Sequence, residues 1–187
     1  EMKASGMISE SELRVLKPFQ QHLPEKVFTE PAYVPPKSSP NKIDRKNRRR
    51  AGKLLTQAGW ELKNGLRKNE AGKTFKLEIL NYSPAFDRII NPFIENLKLI
   101  GIDAKHTRID STQYTERVRS FDWEIITSTY GNSMTPGIDL VQRFSSETAD
   151  VPSRNLVGLK NQGIDEIVRL AIKAKSRQEL NNIVRGL

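Results

Sequence analysis

The spacing of hydrophobic residues switches repeatedly between two periods within residues 74–128. From 75 to 81 apolar residues alternate with charged ones, which is typical of a strand with one buried face. Over 84–100 large apolar residues recur every three or four positions, which predicts an amphipathic helix. Ser83 is the expected N-cap of this helix, and Gly101 is expected to end it.

The same alternation of periods continues to the end of this region. Residues 102–109 and 123–128 read as strands, and residues 112–120 between them read as a helix. The order strand, helix, strand, helix, strand with short connections favours a parallel sheet with right-handed crossovers. Such sheets bind ligands beyond the carboxyl ends of their strands. We therefore look for function in the loops that follow the three strands.

The flanking segments have local signals of their own. Ser9 with Glu12 forms a potential capping box for a short helix. The proline-rich sequence that follows, up to residue 40, predicts an extended surface segment. Asp44 is the expected cap of a helix that runs to about Ala58. The pair Asn64-Gly65 predicts a hairpin turn. Further helices are predicted at 138–144, at 163–174 and after Ser176, and the text between 149 and 159 reads as irregular.

The charge of this chain is concentrated in one place. Its 31 Lys and Arg residues outnumber 22 Asp and Glu residues, which gives a formal net charge of +9. Residues 41–53 hold seven cations and one carboxylate, a net of +6. Arg45 to Lys53 is therefore either a solvated helix face or a patch for an anionic partner, and a nucleic-acid-binding module that uses this segment is the alternative functional hypothesis.

Motifs for catalysis and for cofactor or metal binding are missing from the sequence. There are no cysteines and only two histidines, His22 and His106, which lie in different segments. His106 is interpreted as a packed or surface residue rather than a ligand. No nucleophile elbow, phosphate-binding loop or paired carboxylate spacing occurs. We therefore expect a binding protein that is not an enzyme, without a cofactor or a metal ion.

Three ordered stretches carry a resemblance to a known family. Residues 54–80 read LLTQAGWELKNGLRKNEAGKTFKLEIL, residues 86–126 contain LIGID and STQYTERVRSFDWEII, and residues 145–180 contain ADVPSRNLVG. Together they resemble the bacterial extracellular solute-binding proteins of the oligopeptide and dipeptide ABC importers, especially the Yej-type peptide-binding branch. The resemblance implies an α/β fold, namely a lobe of a type II periplasmic binding protein with a βαβαβ core and flanking helices.

The resemblance also implies a function and a domain plan. It implies a monomeric receptor, exported to the periplasm by a signal peptide outside these residues, that binds oligopeptides and delivers them to the ABC permease in the membrane. Residues 44–187 would form a fragment of the second lobe, and 1–43 an extended lead-in segment with a short helix. No specific contact with nucleic acid is implied.

Candidate ligand contacts follow from the same resemblance. In related peptide binders an aspartate in the loop after the third strand holds the amino terminus of the peptide. Here that loop has no carboxylate before Asp139, so a different way of holding the peptide is expected. Arg154 could pair with a ligand carboxylate or brace its own loop. The candidate contacts are Tyr130, Gly131, Asn132, Ser133, Met134 and Thr135, followed by Asn81, Ser83, Arg154 and Asn155. The composition of residues 129–137 fits equally well a plain connection in which Tyr130 and Met134 fill the core.

Overall fold

A computed structural model describes residues 2–37, 44–129, 131, 133 and 135–187. The chain divides into two compact units, one of Glu1–Val34 with Tyr130–Leu187 and the other of Pro35–Thr129. The division at residues 43 and 44 that the sequence suggests stays a prediction. No helix in the described ranges combines the length and apolar composition needed to cross a membrane.

The unit of Pro35–Thr129 contains the βαβαβ core. Its strands are β3 (Lys76–Asn81), β4 (Asp103–Arg108) and β5 (Ile125–Ile126), arranged in the order β4-β3-β5 with all pairings parallel. Helix α4 (Asp87–Lys98) joins the first two strands, and α5 (Ser111–Arg119) joins the next two. The predicted unit is thus confirmed. Its core lies between α4 and one face of the sheet, where Ile79, Ile90, Ile94, Ile102 and Ala104 are buried.

The predicted start of the helix over residues 84–100 was wrong in detail. The helix expected over 84–100 begins as a short 3-10 turn, Pro84–Phe86, before α4, and Ser83 makes no side-chain cap. The side chain of Asn81 instead fixes the residue before the helix: its Oδ1 accepts from the Ser83 N–H at 3.1 Å, and its Nδ2 donates to the Ser83 carbonyl at 2.7 Å. Helix α4 runs through Pro92 without a break.

The third predicted strand is much shorter than expected. The alternation predicts 123–128, but only Ile125–Ile126 pairs with β3. On either side of this pair, backbone groups form hydrogen bonds with side chains instead of with a strand. The Glu124 carboxylate accepts from the Glu78 N–H, and the Tyr114 hydroxyl donates to the Thr127 carbonyl at 2.9 Å. Because these groups are satisfied without a neighbouring strand, the ladder ends after two residues.

A hairpin and a helix precede the sheet in the same unit. Helix α3 (Arg45–Gln57) is capped by Asp44, whose Oδ1 accepts from the Asn47 N–H at 2.9 Å. Strands β1 (Glu61–Lys63) and β2 (Leu66–Lys68) pair antiparallel around the predicted turn. Both turn residues have positive φ, 52° at Asn64 and 80° at Gly65, as a two-residue turn of this kind requires.

A buried arginine ties the hairpin to the ends of two helices. Arg67 is 6% exposed. Its Nε donates to the Ile100 carbonyl at 2.9 Å, and its Nη1 donates to Thr56 Oγ1 at 2.8 Å and to the Trp60 carbonyl at 3.0 Å. Gly101 packs against the same residue with φ 88°, and a Cβ there would lie 2.5 Å from Leu62 Cδ1. A larger residue at this position would therefore need a strained positive φ, and its Cβ would press on Leu62 and lie 3.3 Å from the Arg67 backbone N.

The other unit is built from helices. These are α1 (Glu10–Leu16), α2 (Lys26–Thr29), α6 (Ile138–Phe144), α7 (Gln162–Lys173) and α8 (Arg177–Gly186), with 3-10 helices at Lys17–His22 and Ser146–Thr148. The predicted capping box of α1 and the Ser176 cap of α8 are both present, whereas α2 was not predicted. The core residues are Leu16, Leu140, Ile167, Val168, Ala171, Leu180 and Ile183.

Candidate functional site

The carboxyl edge of the parallel sheet is formed by the residues that end β3 and follow β5. Asn81 is fully buried, and its Oδ1 accepts from Thr127 Oγ1 at 3.4 Å as well as from the Ser83 N–H. The carbonyl of Asn81 accepts from the Ile109 N–H at 3.0 Å. Asn81 therefore holds the ends of all three strands together, through its side chain towards β5 and through its backbone carbonyl towards β4. Asn81 and Ser83, both predicted contacts, lie here beside each other.

Two tyrosines lie at this edge that sequence reasoning did not select. The rings of Tyr82 and Tyr114 are 4.8 Å apart and inclined at 51°. Tyr82, the residue after β3, is 47% exposed. The Tyr114 hydroxyl is held by the Thr127 carbonyl, and burial raises the pKa of this hydroxyl above its usual value. The sequence does point to Tyr82, because it is the first residue of the loop that follows the first predicted strand.

This arrangement suits the binding of a ligand by surface contact. An exposed tyrosine that leans on a second, anchored tyrosine offers a rigid apolar ring with a polar tip. Asn81 fixes the backbone beneath it. Within the described ranges no three His, Asp or Glu side chains gather closely enough to hold a metal ion. His106, as interpreted from the sequence, is packed: its Nδ1 lies 3.1 Å from Asn91 Oδ1 of α4.

The predicted contacts that follow residue 129 belong to the other unit. Tyr130, Asn132 and Met134 lie outside the described residues. The Gly131 carbonyl accepts from Arg143 Nη2 at 2.8 Å. The Ser133 hydroxyl accepts from the Thr135 N–H at 3.1 Å. This segment therefore has internal hydrogen bonds where the structure describes it, and its contact with a ligand stays a prediction.

Asn155 and Arg154 differ in their surroundings. Asn155 is 1% exposed, its Nδ2 donates to the carbonyls of Ser145 and Leu159, and its Oδ1 accepts from the Leu159 N–H at 2.8 Å. Its amide thus braces the irregular segment, and we expect it to shape the loop rather than touch a ligand. Arg154 next to it is exposed to solvent.

Asp139, the first carboxylate after the loop, bonds to the backbone at the start of its own helix. Its Oδ1 accepts from the Gly137 N–H at 2.8 Å at the start of α6. A carboxylate that already accepts from a backbone N–H is less available to bind the amino group of a peptide.

A charged cluster occupies the face of the sheet opposite α4. Glu78 lies in its centre, with Arg117 Nη2 at 2.7 Å, Thr107 Oγ1 at 2.7 Å and Lys105 Nζ at 3.1 Å. The hydrogen bond from Arg117, helped by that from Thr107, lowers the pKa of Glu78 to about 2. A cleft of about 560 Å³ opens beside the cluster at the amino ends of the strands, away from the edge where such sheets bind ligands.

The cluster makes stability depend on pH. The pKa of Glu78 is depressed from 4.5 to about 2 in the folded chain, so folding favours its ionised form. Its contribution is complete above about pH 4.5 and is lost as the pH falls towards 2. We expect Glu78→Gln to be less stable than the parent above pH 4.5, with the difference shrinking below it. Urea unfolding from pH 2 to 6 measures this, with exposed Glu70→Gln as the control. A constant difference across this range would contradict the assignment.

Two curated proteins resemble this chain along its whole length. Over its full length the chain is 37% identical to the uncharacterized protein y4wM of Sinorhizobium fredii and 36% identical to the probable peptide-binding protein YejA of Agrobacterium fabrum. It spans only 28% and 31% of those two proteins.

A solved structure extends the comparison to the fold. The oligopeptide-binding protein AppA from Bacillus subtilis, in complex with a nonapeptide, aligns with 97% of the chain and 41% of its own length, at a TM-score of 0.60 and 21% identity. The fold is that of a type II periplasmic binding protein. The model of the bacterial extracellular solute-binding proteins, family 5 Middle, matches residues 20–151. The chain therefore belongs to the family 5 bacterial extracellular solute-binding proteins.

Proposed function

We propose that this chain forms most of the second lobe of a two-lobe receptor that binds oligopeptides in the periplasm for an ABC permease. Family membership supports a solute-binding role, and the relatives named as peptide-binding favour a peptide as the solute. Such a receptor captures its ligand by closing two lobes around it and carries out no covalent chemistry. The receptor would be a monomer that meets its permease at the membrane.

The observation that carries this proposal is the carboxyl edge of the sheet. Tyr82 is exposed there and rests on Tyr114, while the buried Asn81 fixes the turn that presents it. Peptides vary in side chain but share a backbone, so a peptide receptor needs ring surfaces and backbone groups rather than a charged pocket. The edge supplies the ring surface. The residues 130–135 remain the proposed source of backbone contacts.

Peptide affinity tests the role of this edge. In the two-lobe receptor we expect Tyr82→Ala to weaken peptide binding about tenfold, because tyrosines are among the side chains that contribute most at binding surfaces. Isothermal calorimetry with a peptide that raises the melting temperature of the parent gives the two affinities. Tyr33→Ala, which removes a ring that is 80% exposed in the other unit, is the matched control. Equal affinity for the parent and Tyr82→Ala would count against this edge as the peptide site.

A further inference from the structure

Helix α3 carries its positive charge on one face. At 100° per residue, five cations fall within an arc of about 140°. All five are exposed, whereas the opposite side of the helix, which includes Asn47, Ala51 and Leu55, is half-buried. We call these five residues the basic face: Arg45, Lys46, Arg49, Arg50 and Lys53.

The basic face is not neutralised by its own unit. The first turn of α3 contains no acidic residue. In the described part of the chain no ion pair is formed by any of its five cations, although other cations of the unit do pair, as Lys98 does with Glu95 at 3.0 Å. Cations near the start of a helix also oppose the helix dipole. The arrangement therefore disfavours the helix, and an anionic partner would remove that disadvantage.

The shape of the basic face indicates what kind of anion it fits. From Arg45 to Lys53 it extends about 12 Å along a convex helix, without a concavity that would enclose a single small anion. Its members all carry long, flexible side chains. Leu54, 55% exposed, borders the face, and a basic helix face edged by an apolar side chain is suited to lie on a membrane surface.

No aromatic side chain belongs to the basic face. Its members are all arginines and lysines. The aromatic residue that follows the helix, Trp60, packs edge-on against Phe75 with ring centroids 4.6 Å apart. Proteins that bind single-stranded nucleic acid combine such cations with exposed aromatic rings. A lipid surface offers phosphates without bases, and it needs only the cations.

We propose that the basic face docks on the anionic phospholipid headgroups of the membrane. The inference rests on the proposed function, because a receptor that delivers its ligand to a permease must approach a bilayer. Headgroup phosphates would accept hydrogen bonds from the guanidinium and ammonium groups, and Leu54 would enter the interface at the border. Binding of this kind is electrostatic and weakens as salt rises.

Vesicle sedimentation tests the proposal. The chain and the two-lobe receptor are mixed with vesicles containing about 30 mol % phosphatidylglycerol, or with phosphatidylcholine alone, at about 50 and 200 mM salt. We expect binding to the anionic vesicles only, stronger at low salt. Replacing all five members of the basic face with glutamine lowers the net charge from +9 to +4, and at least a tenfold loss of binding is expected.

A matched variant separates the basic face from net charge. In this variant five exposed lysines outside the basic face are changed to glutamine: Lys17, Lys73, Lys98, Lys173 and Lys175. Its net charge is also +4, and it should bind anionic vesicles as the parent does. Equal losses in both variants, or no binding of the parent to anionic vesicles, would overturn the proposal. So would displacement by soluble glycerophosphate at equal phosphate concentration, or tighter binding to duplex DNA than to vesicles at matched salt.

The peptide test keeps the two proposals apart. The basic-face variant of the two-lobe receptor should keep the peptide-induced rise in melting temperature of the parent. Failure to bind vesicles with peptide binding intact overturns only the membrane proposal. Binding to vesicles without any peptide-induced rise counts against the peptide function and supports docking through the basic face.

Discussion

Replacing Arg67 with methionine is expected to lower the free energy of unfolding by about 3 kcal/mol. The change removes three hydrogen bonds from a side chain that is only 6% exposed and leaves the carbonyls of Ile100 and Trp60 without this donor. Removing a buried cation also relieves its desolvation, but a guanidinium is weakly hydrated, so this gain is the smaller effect. Urea unfolding followed by circular dichroism gives the value.

Two further variants make the result specific to hydrogen bonding. Arg67→Lys keeps the charge, but an ammonium cannot reproduce the fork of Nε and Nη1, so it should recover only part of the loss. Arg119 is 60% exposed, and among the described residues its one ion pair is with Glu116 at 3.7 Å. Arg119→Met should therefore stay within about 0.5 kcal/mol of the parent. An equally small change in Arg67→Met would show that this side chain does not hold the hairpin in place.

Peptide binding by these 187 residues alone is expected to be at least a hundredfold weaker than binding by the two-lobe receptor. A ligand pocket normally covers about 70–90% of its ligand, and here part of that surface would come from the other lobe. The free-energy cost of immobilising the peptide is the same in both cases. Losing half of the contacts therefore removes more than half of the net binding free energy. A receptor that binds at about 1 μM would leave a lobe that binds at about 1 mM or more weakly.

Calorimetry with one peptide on both proteins measures this difference. Cooperative urea unfolding of the 187-residue chain must be shown first, so that weak binding is not confused with incomplete folding. Micromolar binding to the isolated chain would contradict a site shared between two lobes. It would show that one lobe holds the peptide by itself.

Local signals in the sequence were sufficient for most of the framework. The Ser9 and Ser176 caps, the Asp44 cap and the Asn64-Gly65 turn each depend on neighbours within a few residues, and all are present. The strand predicted over 123–128 failed because its extent depends on distant partners. The side chains of Glu124 and Tyr114 form hydrogen bonds with backbone groups. The alternation of apolar and polar residues had predicted that these groups pair between strands.

The candidate site was only partly accessible from the sequence. The rule for parallel sheets led to Asn81 and Ser83, and the structure places both at the expected edge. The pairing of Tyr82 with Tyr114 joins two segments 32 positions apart (114 − 82), and no periodicity reports such a contact. The buried positions of Arg67 and Asn155 were missed for the same reason, since each is explained by hydrogen bonds to surrounding loops.

The most direct test of the central claim is the identity of the small molecule that the two-lobe receptor retains. Native mass spectrometry of receptor purified from a bacterial periplasm, followed by denaturation and sequencing of what is released, gives this identity. We expect one or a few oligopeptides at close to one per receptor. A receptor that retains no peptide, and whose melting temperature no peptide raises, would contradict the account.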